Sequence, residues 1–190
     1  MRTSLSFKKY KAMKKYIGIA FLSVLMACTN APKKDAALTD SITKTDTATA
    51  AVDVQLADPK IANIYNGYIS LKNTLVAGNA VAARQTAADL SKALSAFEGC
   101  ENTALIADKI AGTGDIKIQR KEFTPLSSDV IALFKHVDLK KGTIYVQHCP
   151  MANNGDGGDW LSSESKIRNP YYGKEMMDCG GVVEEIKPKK

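Results

Sequence analysis

DPKIANIYNGYISLKNTLVAGN, residues 58–79, decides the fold. Asp58 is a helix-capping residue, and Pro59 sits where a first-turn proline loses no hydrogen bond, because that N–H has no partner inside a helix anyway. Ile61, Ile64, Tyr65, Tyr68, Leu71 and Leu75 then recur at three- and four-residue steps, which lays them on one stripe of a helix. Gly78-Asn79 supplies the stop. The spacing predicts a long amphipathic helix that needs a partner for its apolar face.

The partner follows in sequence. A second stripe runs through Val81, Ala87, Leu90, Leu94 and Phe97 to Gly99, and its alanines allow close packing against the first helix, giving an antiparallel hairpin. Residues 101–112 form a shorter helical candidate ending at Gly112. Asp115 caps a further run carrying Ile116, Gln119, Phe123, Leu126, Val130, Leu133 and Phe134. Pro125 lies inside that run and predicts a kink or break near Thr124, since proline removes a helical hydrogen bond and crowds the preceding turn.

After Gly142 the pattern changes. Thr143-Ile144-Tyr145-Val146-Gln147-His148 is β-branched and aromatic, and Gly180-Gly181-Val182-Val183-Glu184-Glu185-Ile186 is its natural antiparallel partner. Between them lies a long loop rich in Gly, Asn, Asp and Ser. The expected fold is mainly α: a small bundle of three to four helices with a C-terminal two-stranded β-element, forming a single domain over 58–187. About 130 residues suffice for one core.

Upstream, residues 29–57 are Ala, Thr, Asp and Lys with almost no large apolar side chain, which predicts a tether rather than packed structure. Lys14 and Lys15, an apolar run from Tyr16 to Met26, small Ala27 and then Cys28 read as a lipoprotein signal, with Met13 an alternative start to Met1. The expected processing removes 1–27 and leaves Cys28 as the lipidated residue, so that 28–57 tethers a periplasm-facing domain to a membrane. About 11 apolar residues are too few to span a hydrocarbon core that needs ~20.

The formal net charge of +6 has the same origin. Arg2, Lys8, Lys9, Lys11, Lys14 and Lys15 precede Cys28 with no acid among them, and taking those six from 26 basic residues leaves 20 against 20 acidic. The mature chain is formally neutral, and no nucleic-acid partner is expected.

Cys100, Cys149 and Cys179 remain besides Cys28. Cys149 and Cys179 are the natural disulfide pair, because the two strands bring them close. Their neighbours suggest another chemistry. His148-Cys149-Pro150-Met151 and Met176-Met177-Asp178-Cys179 are short clusters of sulfur and imidazole donors, and thiolate and thioether sulfurs select Cu(I) and similar soft ions. Strand alternation places Cys149 and Met151 on one face and His148 with the inward-pointing Ile144 and Val146. Asn153 to Asp159 resembles a calcium loop only superficially, since its glycine and distal glutamate are out of register. Trp160, the only tryptophan, is expected to fold the loop back over the core, with a binding-surface role as the alternative. With two histidines and no GxSxG, HExxH or phosphate-cradling Gly-Lys loop, no enzyme activity is expected.

Tyr145-Val146-Gln147-His148-Cys149-Pro150-Met151-Ala152, Trp160-Leu161-Ser162, Arg168-Asn169-Pro170-Tyr171-Tyr172-Gly173 and Met176-Met177-Asp178-Cys179-Gly180 carry a resemblance. The sequence resembles an uncharacterised domain of envelope lipoproteins that also stands at the C-terminal end of periplasmic adaptor subunits of copper and heavy-metal efflux pumps. Gln119-Arg120-Lys121-Glu122-Phe123 and Leu126-Ser127 extend the likeness back over the helices, to roughly 60–183. The resemblance implies a metal-handling context, with an efflux system as partner and Cys149, Met151, Met176 and Cys179 as the ligand cluster. His148 and Met177 depart from the pattern as ligands, and Cys100 lies outside it. The competing expectation is a structural or protein-interaction module pinned by a Cys149–Cys179 disulfide.

Overall fold

The computed structural model describes residues 53–189. The expected signal segment, the expected lipidation site Cys28 and most of the expected tether, up to residue 52, lie outside the described residues.

The first helix, α1 (Pro59–Ala77), forms as its sequence dictates. The Asp58 carboxylate accepts the Lys60 N–H at 2.7 Å, and Gly78 closes the helix in the left-handed region at φ 69°. Ile64, Tyr68, Leu71 and Leu75 are fully buried along its stripe. α2 (Ala80–Ser95) starts from Asn79, whose side chain accepts the Ala82 N–H. It packs against α1 and against α3 (Glu101–Ala111), and α3 in turn packs on α4 (Ile116–Phe134). Each buried leucine contributes roughly 1.5–3 kcal/mol, so the facing stripes of α1 and α2 supply much of the stabilisation.

Two helical expectations need correction. Val81 is 80% exposed, and the inward stripe of α2 runs through Ala83, Ala87, Leu90 and Leu94 instead. Of the kink or break expected at Pro125, the break does not occur: α4 continues for 19 residues with the proline inside it. Phe123, Leu126, Val130 and Phe134 on both sides of it are buried, and that packing offsets the lost hydrogen bond.

Residues 53–57, assigned to the tether by composition, carry a short strand. β1 (Gln55–Leu56) pairs antiparallel with β2 (Leu139–Lys141), beyond α4, so ordered structure starts a few residues before Asp58. The C-terminal element has three strands rather than two. β3 (Ile144–Cys149) lies between β4 (Gly158–Ser162) and β5 (Gly181–Ile186), antiparallel to both. The β3–β5 pairing is the one expected. β4 was hidden in the Gly/Asn-rich stretch, where Trp160 and Leu161 pair with Gln147 and Val146. Among the described residues no helix is long and apolar enough to cross a membrane.

A buried polar relay fastens the sheet to the helices. The Leu161 N–H donates to the Tyr68 hydroxyl at 3.1 Å, and Ser127 Oγ donates to the Asp159 carbonyl at 2.8 Å. Because the one Ser127 hydroxyl proton is thus used, Tyr68 must be the donor in the 2.6 Å contact between Tyr68 and Ser127. α1, α4 and β4 are therefore locked by three consecutive hydrogen bonds among largely buried groups. Burial also pushes the Tyr68 phenol well above its ordinary pKa.

Candidate functional site

β3 places its side chains alternately on two faces, and both are covered. Ile144 and Val146 join the core on one face, while Gln147 and Cys149 on the other are also buried. The cover on that second face is the chain between β4 and β5. Gln147 Nε2 donates to the carbonyls of Glu164, Ser165 and Lys166, and its Oε1 accepts the Trp160 indole N–H at 2.7 Å. Trp160 is fully buried and meets Tyr171 edge-on, so it does hold this region over the core.

The same segment carries Cys179 back to β3. Cys149 Sγ and Cys179 Sγ lie 3.0 Å apart, and both are free thiols. Cys149 has no solvent exposure, whereas Cys179 is half-buried. Asn169, fully buried, organises the approach. Its Oδ1 accepts the Tyr171 N–H, its Nδ2 donates to the Cys179 carbonyl at 3.1 Å, and its own N–H donates to the Met177 carbonyl. Tyr172 donates its hydroxyl to the Met151 carbonyl, and the Cys179 N–H donates to the Met176 carbonyl. Gly180, at φ 137°, lets the chain pass where a Cβ would stand 2.5 Å from the His148 carbonyl oxygen.

The six sulfur and imidazole candidates separate. Cys149 and Cys179 are brought into contact. The backbone of Met151 lies against this pair, its N–H acting on the Cys179 sulfur, while the residue as a whole is 53% exposed. Met176 stands one turn before Cys179 and is half-buried, as is Met177. His148 does not point inward as alternation with Ile144 and Val146 suggested. It is half-exposed at the end of β3, with Nδ1 2.7 Å from Asp159 Oδ1, and it occupies the strand face opposite Cys149. Sequence reasoning missed Asn169, Gln147 and Tyr172. All three stand in the motifs quoted for the resemblance, without a role assigned to them, and Asn169-Pro170 is also a pair that favours a turn.

The Cys149 thiol beside it is the first cause holding the Cys179 pKa above its ordinary value, and the Met151 N–H opposes that rise. Cys100, at the start of α3, is raised too, by burial and then by Glu101 and Asp129. It is buried in the helical core and takes no part in the pair.

Among the described residues no group of three or more His, Cys, Asp and Glu side chains is placed to hold a metal ion. Two thiols flanked by methionines suit a soft ion in donor chemistry. The distance is tighter than such an ion sets, since two metal–sulfur bonds of ~2.3 Å would meet at about 80° across this gap. Sharing one ion requires the pair to widen, and Cys179, outside the strands, is the side that can yield.

Residues 64–142 match the model of a family described as a protein of unknown function (DUF3347). The match covers most of α1, all of α2 to α4 and β2, and it ends before Cys149, so the thiol pair lies beyond it. The match fits an uncharacterised, mainly helical domain. No curated protein and no solved structure matches the chain.

Proposed function

We propose that this is a lipid-anchored, periplasm-facing domain that binds Cu(I) or another soft heavy-metal ion as an accessory to metal efflux or homeostasis. The observation that carries it is the convergence of Cys149 and Cys179, thirty positions apart in the chain, to sulfur contact at 3.0 Å. Cys149 is a fixed donor on the central strand, and Cys179 is an adjustable one on a turn tied down by Asn169. Met151 and Met176, one from each segment, are the thioether donors assigned to the ion, whereas His148 is engaged with Asp159 on the other face. Such an ion, when bound, would draw its coordination from soft sulfur alone, which favours the cuprous over the cupric state.

The anchor rests on Cys28 and the signal-like segment before it, and the link to efflux rests on the resemblance of the C-terminal motifs to efflux-adaptor domains. The residues themselves carry only the binding step. The test is an anaerobic Cu(I) competition titration on the reduced full chain carrying Cys28→Ser. Met151→Ala is expected to weaken binding while leaving the unfolding midpoint in place, because that side chain is exposed. Equal affinity in the two chains would remove Met151 from the ligand set, and loss of folding would make it structural.

A further inference from the structure

We propose that Cys149 and Cys179 are also a dithiol that exchanges with external disulfides through Cys179, closing into an intramolecular bridge that withdraws both donors from the soft-metal site. The exchange chemistry stands on the pair's geometry alone, and its consequence for the ion rests on the function proposed above.

Two features set the order of events. The sulfurs already touch at 3.0 Å, so a bridge of ~2.05 Å needs a closure of about 1 Å, within reach of a turn residue opposite a fixed strand. Access is one-sided. Cys149 is wholly enclosed, while Cys179 reaches solvent beside the exposed Met151. Exchange requires in-line approach of an outside sulfur, and only Cys179 offers that. Access therefore selects the attacking sulfur.

In the first step the Cys179 thiolate attacks one sulfur of an external disulfide, forming a mixed disulfide and releasing one external thiolate. In the second, Cys149 gives its proton to water and attacks Cys179 Sγ. The Cys149–Cys179 bond forms, the mixed disulfide breaks, and the second external thiolate leaves. The protein dithiol loses two electrons and two protons, and the external disulfide becomes two thiols. The reverse reaction begins at the same exposed sulfur. The oxidant is a small-molecule or protein disulfide, and the reductant is a dithiol.

The test uses the full chain carrying Cys28→Ser and Cys100→Ala, reduced and then treated with 5,5′-dithiobis(2-nitrobenzoate), with products weighed by mass spectrometry. The parent chain is expected to release two coloured thiolates and retain no adduct. Addition of Cys149→Ser should give one thiolate and a lasting adduct on Cys179. With Cys179→Ser instead, reaction should be at least about tenfold slower than with Cys149→Ser, because the remaining thiol is buried. Adducts on both sulfurs without a bridge, or equal rates in the two single variants, would overturn the exchange mechanism. Cu(I) titration of the reduced and bridged chains completes the test, and the bridged chain is expected to lose its binding. A chain that bridges yet binds no Cu(I) when reduced overturns the metal function alone. One that binds Cu(I) but never bridges overturns the exchange alone.

Discussion

Lys72 is the least exposed lysine among the described residues, and its burial has a measurable cost. It lies on α1 with 1% of its surface accessible and makes no ion pair among the described residues. Burial lowers its pKa from 10.5 to about 8, with Glu164 opposing that fall and Arg168 adding to it. The unfolded chain therefore holds a proton that the folded chain gives up between pH 8 and 10.5, and stability must rise with pH through that window. Below pH 8 the ammonium is carried into the fold at full cost. At ~1.4 kcal/mol per pH unit, the drop amounts to an order of 3 kcal/mol at neutral pH. Lys72→Met keeps the length and apolar contact of the stem while removing the charge, so it should stabilise the protein by about 1–3 kcal/mol at pH 7, the lower figure allowing for water reaching the amine. The assay is urea unfolding of parent and variant from pH 6 to 10.5. Tyrosines and other lysines titrate in both chains, so the difference between the two curves isolates Lys72. That difference should shrink above pH 8 and approach zero near 10.5. Parallel curves, or a variant less stable at pH 7, would refute the burial argument.

Three further outcomes follow from single contacts. Tyr68→Phe strips the Leu161 N–H of its acceptor in the buried relay and should cost about 1–3 kcal/mol in chemical denaturation; a change within error would mean the relay carries no weight. Gly180→Ala drives a Cβ to 2.5 Å from the His148 carbonyl at φ 137°, so about 1–3 kcal/mol of destabilisation is expected, and an unaltered melting temperature would contradict the tight crossing beside Cys179. Asn169→Asp keeps the acceptor for the Tyr171 N–H but loses the donor to the Cys179 carbonyl. It should loosen the 176–180 turn, seen as faster amide exchange there than at the helices, and uniform exchange would remove Asn169 as the clamp.

Helices α1 and α4 were legible because they carry their instructions locally: Asp58 and Asp115 cap, Gly78 stops, and buried residues recur at helical spacing; the Asn79 cap of α2 was read only as a stop, and α3 has no side-chain cap. Val81 was misplaced because α2 is so rich in alanine that its true inward stripe, through Ala83 and Ala87, has little more apolar contrast than its neighbours. Pro125 misled because tertiary packing of Phe123 and Leu126 outweighs a local penalty that sequence shows by itself. β4 was missed because Gly157-Gly158-Asp159 has loop composition, and only pairing with β3 makes Trp160 and Leu161 a strand. Cys149 and Cys179 were legible as a pair from the strand pairing that frames them. Asn169 and Gln147 were not, since one side chain bonding to distant carbonyls leaves no periodic trace. Alternation left His148 open between a buried structural residue and a ligand, and at the strand's end it lies half-exposed against Asp159 instead.

The central claim is that sulfur from two distant segments forms one soft-metal site. X-ray absorption at the copper edge, on the reduced chain loaded anaerobically with one equivalent of Cu(I), tests it most directly. A first shell of sulfur alone is expected, lost when Cys149→Ser is introduced. A shell of nitrogen or oxygen, or an unchanged sulfur shell in that variant, would contradict it.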